Sequence, residues 1–134
     1  MNNIHKKQPG LYAFLCLWAS FSCTSNPYKQ GRTLYSFHCE SCHMEDGSGL
    51  VKLIPSLKES ILIRNSPDSL VCLIINGLPL NVLTNQQMPP NTSLNEVELA
   101  NLINFLQVEH ADQEVAVKVD DIKTWLTTCQ YDEN

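Results

Sequence analysis

The sequence predicts an all-α fold, and three observations carry that prediction. Val97, Ala100, Leu102, Ile103, Phe105 and Leu106 recur at helical spacing behind a capping sequence, Ser93-Leu94-Asn95-Glu96, the pattern of an amphipathic helix with its start marked. A second segment opens on Ser66-Pro67-Asp68 and closes on Asn76-Gly77, which supplies a cap, a first-turn proline and a dipole-complementing acid at one end and a left-handed stop at the other. Strand-like alternation of useful length, internal repeats and low-complexity tracts are all absent from the sequence. With 134 residues, a single domain with a modest core is the expectation.

Residues 1–22 are set aside as an export signal. Lys6 and Lys7 precede an apolar run over residues 11–21 that is too short to span a bilayer comfortably. Ser20-Phe21-Ser22-Cys23 resembles a bacterial lipoprotein processing site, with Cys23 as the acylated N-terminus, although Ser20 stands where an aliphatic residue is usual. The alternative is an ordinary signal peptide cut nearby, with Cys23 an incidental thiol. Either route exports the mature chain, to the periplasmic side of a bacterial membrane, where disulfides persist.

The elements then follow in order. Residues 23–26 form a polar tether. A first helix begins near Pro27 and carries Gly31, Leu34, Tyr35 and His38 toward Cys39. Residues 45–60, with Gly47, Gly49 and Pro55, read as a loop wrapped over something apolar. The second helix covers residues 66–76, and residues 79–92 form another loop, rich in Asn, Gln and Pro. The third helix is the one behind the capping sequence. A fourth runs from about Asp120 to Cys129, with Ile122, Trp125, Leu126 and Cys129 sharing a face. Residues 27–109 are thus read as the domain and residues 110–134 as a helical extension packed on it.

Charge narrows the classes of partner. The chain has 9 basic and 14 acidic residues; without residues 1–22 there are 7 against 14, a formal charge of −7. That balance argues against nucleic acid. An acidic surface is also repelled by anionic lipid, so membrane attachment is assigned to the acyl anchor at Cys23.

Chemistry concentrates in Cys39-Glu40-Ser41-Cys42-His43. Two thiols three residues apart followed by histidine form the attachment pattern for c-type haem, the cysteines bonding to the porphyrin and the histidine lying beneath the iron. A thioredoxin-like redox pair is an alternative, but it needs a strand before it and a βαβ setting. Zinc is another, and it needs a second ligand pair, whereas Cys72, His110 and Cys129 are scattered. A second axial ligand is assigned to Met88. Met1 leaves with the signal and Met44 adjoins His43, too close to reach the opposite face. Met88 lies in Gln86-Gln87-Met88-Pro89-Pro90, where the prolines stiffen the chain; filling a gap in the core is its alternative role. His38 is placed on the helix surface or haem rim, His110 in solvent, and Trp125 and Tyr28 in packing.

From Gly31 to about Leu106 the sequence resembles class I cytochrome c, on Gly31-x-x-x-Tyr35 ahead of the cysteine pair, the Met88-Pro89 pair, and Leu102-x-x-Phe105-Leu106. The resemblance implies a fold of about four helices with long loops wrapped around one covalent haem c. It implies that Gly31 and Tyr35 meet Leu102 and Phe105, that the Pro55 carbonyl accepts the free imidazole N–H of His43, and that Leu57 and Leu53 pack on the haem face. The chain departs from the minimal family layout after Glu109. Once Cys16 is discarded, Cys23 lipidated and Cys39 and Cys42 spent on haem, Cys72 and Cys129 remain, and small lipoprotein-type cytochromes with a helix-borne and a C-terminal cysteine are similar. A bridge between the two is expected to staple the extension, with two inert buried thiols as the alternative.

The implied role is one-electron transfer between redox protein complexes, with no small-molecule substrate. No nucleophile and base pairing or phosphate-cradling loop is legible. The alternatives are a dedicated haem c subunit of an oxidase or dehydrogenase complex, or a haem sensor or peroxidase-like protein with an open axial position.

Overall fold

The structure, a computed structural model, describes residues 26, 28–51, 53–58, 60–81, 86–113 and 116–129. The export signal, Cys23 and Pro27 lie outside the described residues.

Six helices and one short hairpin are described: α1 (Lys29–His38), α2 (Glu40–His43), α3 (Ile61–Asn65), α4 (Pro67–Asn76), β1 (Leu78–Asn81), β2 (Gln86–Met88), α5 (Glu96–Ala111) and α6 (Val119–Thr128). The spine is α5, which buries Leu99, Leu102, Ile103, Phe105 and Leu106. Against it pack α1, α3, α4 and α6, whose Ile63, Val71 and Ile122 are fully enclosed. Burial of this apolar surface is the main force holding short helices that would be marginal alone.

The crossing of α1 over α5 depends on Gly31. A Cβ there would fall on the Asn101 carbonyl and Phe105 Cβ, so only glycine lets the two backbones touch. One turn on, Tyr35 is buried with its ring 5.5 Å from that of Phe105. Arg32 lies over the other side of Phe105, 5.5 Å from its centroid, and reaches Glu109 at 3.4 Å.

Four features differ from the sequence reading. The cap of α5 is Asn95 rather than Ser93: its side chain accepts from the amides of Val97 and Glu98, while Glu98 accepts from the Asn95 amide at 2.9 Å. Ser93 is engaged instead with the Asn91 side chain, and Leu94 between them is buried. The Asn- and Pro-rich loop contains the antiparallel β1–β2 pair, too short to show as alternation. A separate turn, α3, precedes α4, capped by the Ser60 side chain accepting from the Ile63 amide. And α5 runs on through residues 109 and 110 to Ala111, ending on Asp112 in the left-handed conformation.

That extra turn overturns the placement of His110 in solvent. His110 stands three, four and seven residues from Gln107, Leu106 and Ile103, and all four face inward. It is only 6% exposed, with its ring against Gly47 and 5.7 Å from the Tyr35 ring. The polar neighbours Glu109 and Asp112 concealed this in the sequence.

The extension is part of the same core. Asn104 brackets Val117, donating to its carbonyl at 2.9 Å and accepting from its amide at 2.8 Å, and this feeds the chain into α6. Cys72 and Cys129 are joined as a disulfide with Cα atoms 5.0 Å apart.

Candidate functional site

Cys39 interrupts the helix between α1 and α2. Its own amide still reaches the Tyr35 carbonyl at 2.8 Å, and its carbonyl accepts from Cys42 and His43 at 3.1 and 2.9 Å. The result is a single tight turn that holds the two thiols and the imidazole together. Both thiols are free, Cys39 half-buried and Cys42 exposed. Burial first, and then the neighbouring Cys42, push the Cys39 thiol up to about 11. A redox pair needs a thiolate near neutral pH, and the segment ahead of these cysteines is helix, not strand. Among the described residues no three His, Cys, Asp or Glu side chains gather into a cation cage.

Beyond His43 the backbone turns sharply. Met44 takes a positive φ of 65°, a conformation uncommon outside glycine, and the buried Tyr35 hydroxyl donates to its carbonyl. The returning loop is fastened by Gly49 N–H to the His43 carbonyl at 3.1 Å and Leu57 N–H to the Gly47 carbonyl at 2.8 Å. Gly49 has a further use: a Cβ there would meet the Ile54 carbonyl and stand 2.7 Å from the Pro55 oxygen. Its absence lets the Pro55 carbonyl fold down toward His43.

The His43 imidazole is held below its ordinary pKa, mainly by burial, with the Pro55 backbone acting in the opposite direction. Nδ1 is buried and makes no formed hydrogen bond, so the Pro55 carbonyl neighbours the ring without completing the bond that the family resemblance implies. An axial ligand is oriented when an acceptor takes the N–H of one ring nitrogen and leaves the other to coordinate, and Pro55 is the backbone group beside this ring that could serve as that acceptor.

Beside this turn lies a cavity of about 490 Å³. Its walls are mostly apolar: Leu53, Pro55 and Leu57 from the loop, Leu62 and Leu70 and Leu73 from α3 and α4, and Leu78 and Met88 from the hairpin. The volume and lining suit a flat apolar cofactor of several hundred Å³. Pro55, Leu57 and Met88 thus share the cavity lining, while Cys39, Cys42 and His43 lie outside it, and His43 neighbours it through the Pro55 backbone. Met88 is half-buried, paired with Leu78 across the hairpin. His38 is half-exposed at the end of α1, edge-on to Phe37. Trp125 and Tyr28 pack against the core.

Sequence reasoning placed Gly49 in the loop but missed its close approach to Pro55, and it missed the Tyr35 hydroxyl and the contribution of α3 and α4 to the wall. The apolar face of α4 was visible, but which cavity it lined was not.

A turn presenting two free thiols and a half-buried imidazole, near an apolar cavity with a thioether on its wall, fits a covalently held haem. The family model for cytochrome c oxidase, cbb3-type, subunit III matches residues 26–106. The chain belongs to this family. It is therefore a class I c-type cytochrome domain with the all-α cytochrome c fold, and the family implies haem c as its cofactor and electron transfer as its business. No curated protein matches the chain. Helix α6 and the last turn of α5 lie beyond the residues that the cytochrome family model covers. Among the described residues no helix is long and apolar enough to cross a membrane.

Proposed function

We propose that the chain is a monohaem c-type cytochrome that carries single electrons between larger redox complexes outside the cytoplasm. In this reading Cys39 and Cys42 would hold the haem through thioether bonds, His43 and Met88 would ligate its iron, and Pro55 and Leu57 would line the pocket. The observation that carries it is the half-buried His43 imidazole, its Nδ1 buried without a hydrogen-bond partner and its ring neighbouring the Pro55 backbone, which lines the same apolar cavity as Met88.

Haem c, when bound, supplies a one-electron iron couple. The chain's residues set its character. His43 and Met88 would supply one nitrogen and one sulfur ligand to the iron, which would favour electron transfer over substrate binding and raise the potential relative to two nitrogen ligands. Leu57, Leu70 and Leu73 exclude water from the wall, and a low dielectric disfavours the more charged oxidised state. Partners dock weakly and transiently through small interfaces. Export through residues 1–22 and acylation of Cys23 belong to the same proposal, resting on the sequence alone.

Acid and organic extraction tests the attachment: haem should stay with the chain, and loss of haem to the organic phase overturns the thioethers. The ferric protein should show the weak far-red band of methionine sulfur bound to iron, and Met88→Ala should abolish it. Presence of the band in that variant removes Met88 from the site.

The family's description favours a second reading, a dedicated haem subunit of an oxidase complex. Stoichiometric co-purification with a membrane complex selects the subunit; purification as a free, reducible protein selects the carrier.

A further inference from the structure

We infer that the Cys72–Cys129 disulfide and the Asn76 side chain are positioning residues for Met88, acting through the last turn of α4; the inference rests on the reading of Met88 as an axial ligand.

The hairpin cannot hold Met88 by itself. Its strands have four and three residues and the register shifts between Leu78 and Asn81, and an isolated two-stranded pair of this size is marginal. The end of α4 supplies what is lacking. The Asn91 amide donates to the Ile74 carbonyl at 2.9 Å. Gly77, at a φ of +72°, packs against this segment so closely that a Cβ there would meet the Met88 carbonyl and stand 2.7 Å from Pro90 N. Leu78, the next residue, pairs directly with Met88. Three consecutive contacts therefore tie the segment around Met88 to residues 74–78.

That turn is in turn held from its other side. Cys72 and Asn76 are four residues apart and share a helix face. Cys72 is bonded to Cys129, and Asn76 Nδ2 donates to the Cys129 carbonyl at 3.0 Å. Two bonds of different kinds thus converge on one residue at the end of α6. Helix α6 is itself seated by the fully buried Ile122 and by Asn104 bracketing Val117. The path runs from the spine helix α5 through α6 to Cys129, across to α4, and on to Met88. Helix α6 lies outside the residues shared with the family model, so this brace is an addition carried by the chain's own extension.

A brace and a general stabiliser make different predictions for the folded protein. If the staple only stabilises the fold, its loss lowers the unfolding midpoint and leaves the folded ligand exchange untouched. If it positions Met88, its loss raises the fraction of folded molecules in which the thioether is off the iron. An added ligand that competes for that position then binds more tightly in proportion to that fraction.

Imidazole titration of the ferric holoprotein, followed by loss of the far-red band, reads this out. The double variant Cys72→Ser/Cys129→Ser should bind imidazole about tenfold more tightly than the parent, with far-UV dichroism unchanged. Asn76→Ala, which keeps the disulfide, should shift the affinity in the same direction by less. Unchanged imidazole affinity in both variants overturns the inference, whatever happens to the unfolding midpoint. If the double variant does not fold, unchanged affinity in Asn76→Ala alone overturns it. Absence of the far-red band from the parent protein marks a different failure, that of Met88 as ligand, and the inference falls with it.

Discussion

His110 shows how one residue can carry a pH dependence that its neighbours conceal. It is buried at the end of α5 with neither ring nitrogen hydrogen-bonded, and burial is the main cause holding its pKa below the ordinary 6.5. The charges around it act in both directions: Glu109 and Asp46 favour the protonated ring, Lys58 and His43 oppose it. Because the folded value lies below the unfolded one, the unfolded chain binds the proton first as pH falls. The stability that a neutral His110 contributes is complete above about 6.5 and is lost progressively below it. Urea midpoints measured from about pH 7 to about pH 5 should therefore fall, and His110→Leu should flatten that part of the profile. An equal slope in the variant would assign the dependence to other groups. The Tyr35 hydroxyl behaves oppositely. Burial, followed by the nearby acidic groups, pushes it up to about 12, so it remains a donor to Met44 across the whole range.

At the scale of elements, the crossing of α1 and α5 is the contact most sensitive to a single atom. Gly31→Ala forces a methyl into the Asn101 carbonyl and Phe105 and must push the helices apart. The expected loss is about 1–3 kcal/mol despite the better helix propensity of alanine, measured as a drop in the denaturant midpoint with an unchanged m-value. A neutral result would mean that the helices separate without penalty. This crossing was anticipated in the sequence only through the resemblance to class I cytochrome c, which implies that Gly31 and Tyr35 meet Leu102 and Phe105. The cap of α5 was legible only in part. Ser93 and Asn95 are both good caps, and the decision fell to Leu94, which is buried just ahead of the helix. The hairpin was not legible at all, since strands of four and three residues carry no periodicity and form only where α4 provides a surface for them.

On the scale of the whole molecule, the disulfide between residues 57 apart closes a long loop through the spine helix. In the chain-entropy account a loop of this length stabilises by about 4 kcal/mol, a large share of the stability of a domain this size. Urea unfolding of Cys72→Ser/Cys129→Ser against the parent should show a loss of that order. A loss well under about 1 kcal/mol would mean that the unfolded chain is already constrained in this region.

The sequence by itself determined the all-α class and the family, and it singled out the residues proposed to bear the chemistry, because each rests on local information. A capping pattern, a helical period, a pair of cysteines three apart with a histidine behind them, and a shortage of methionines can all be read along the chain. Only the tertiary structure decided which surfaces those residues share. It buried His110, brought the Pro55 carbonyl down over Gly49 toward His43, made α4 a wall of the cavity, and set Cys129 against Cys72 and Asn76. Those outcomes depend on where distant segments meet, and the physical reason is packing. Close packing in a core leaves each side chain a place defined by neighbours far away in sequence, and no window along the chain contains them.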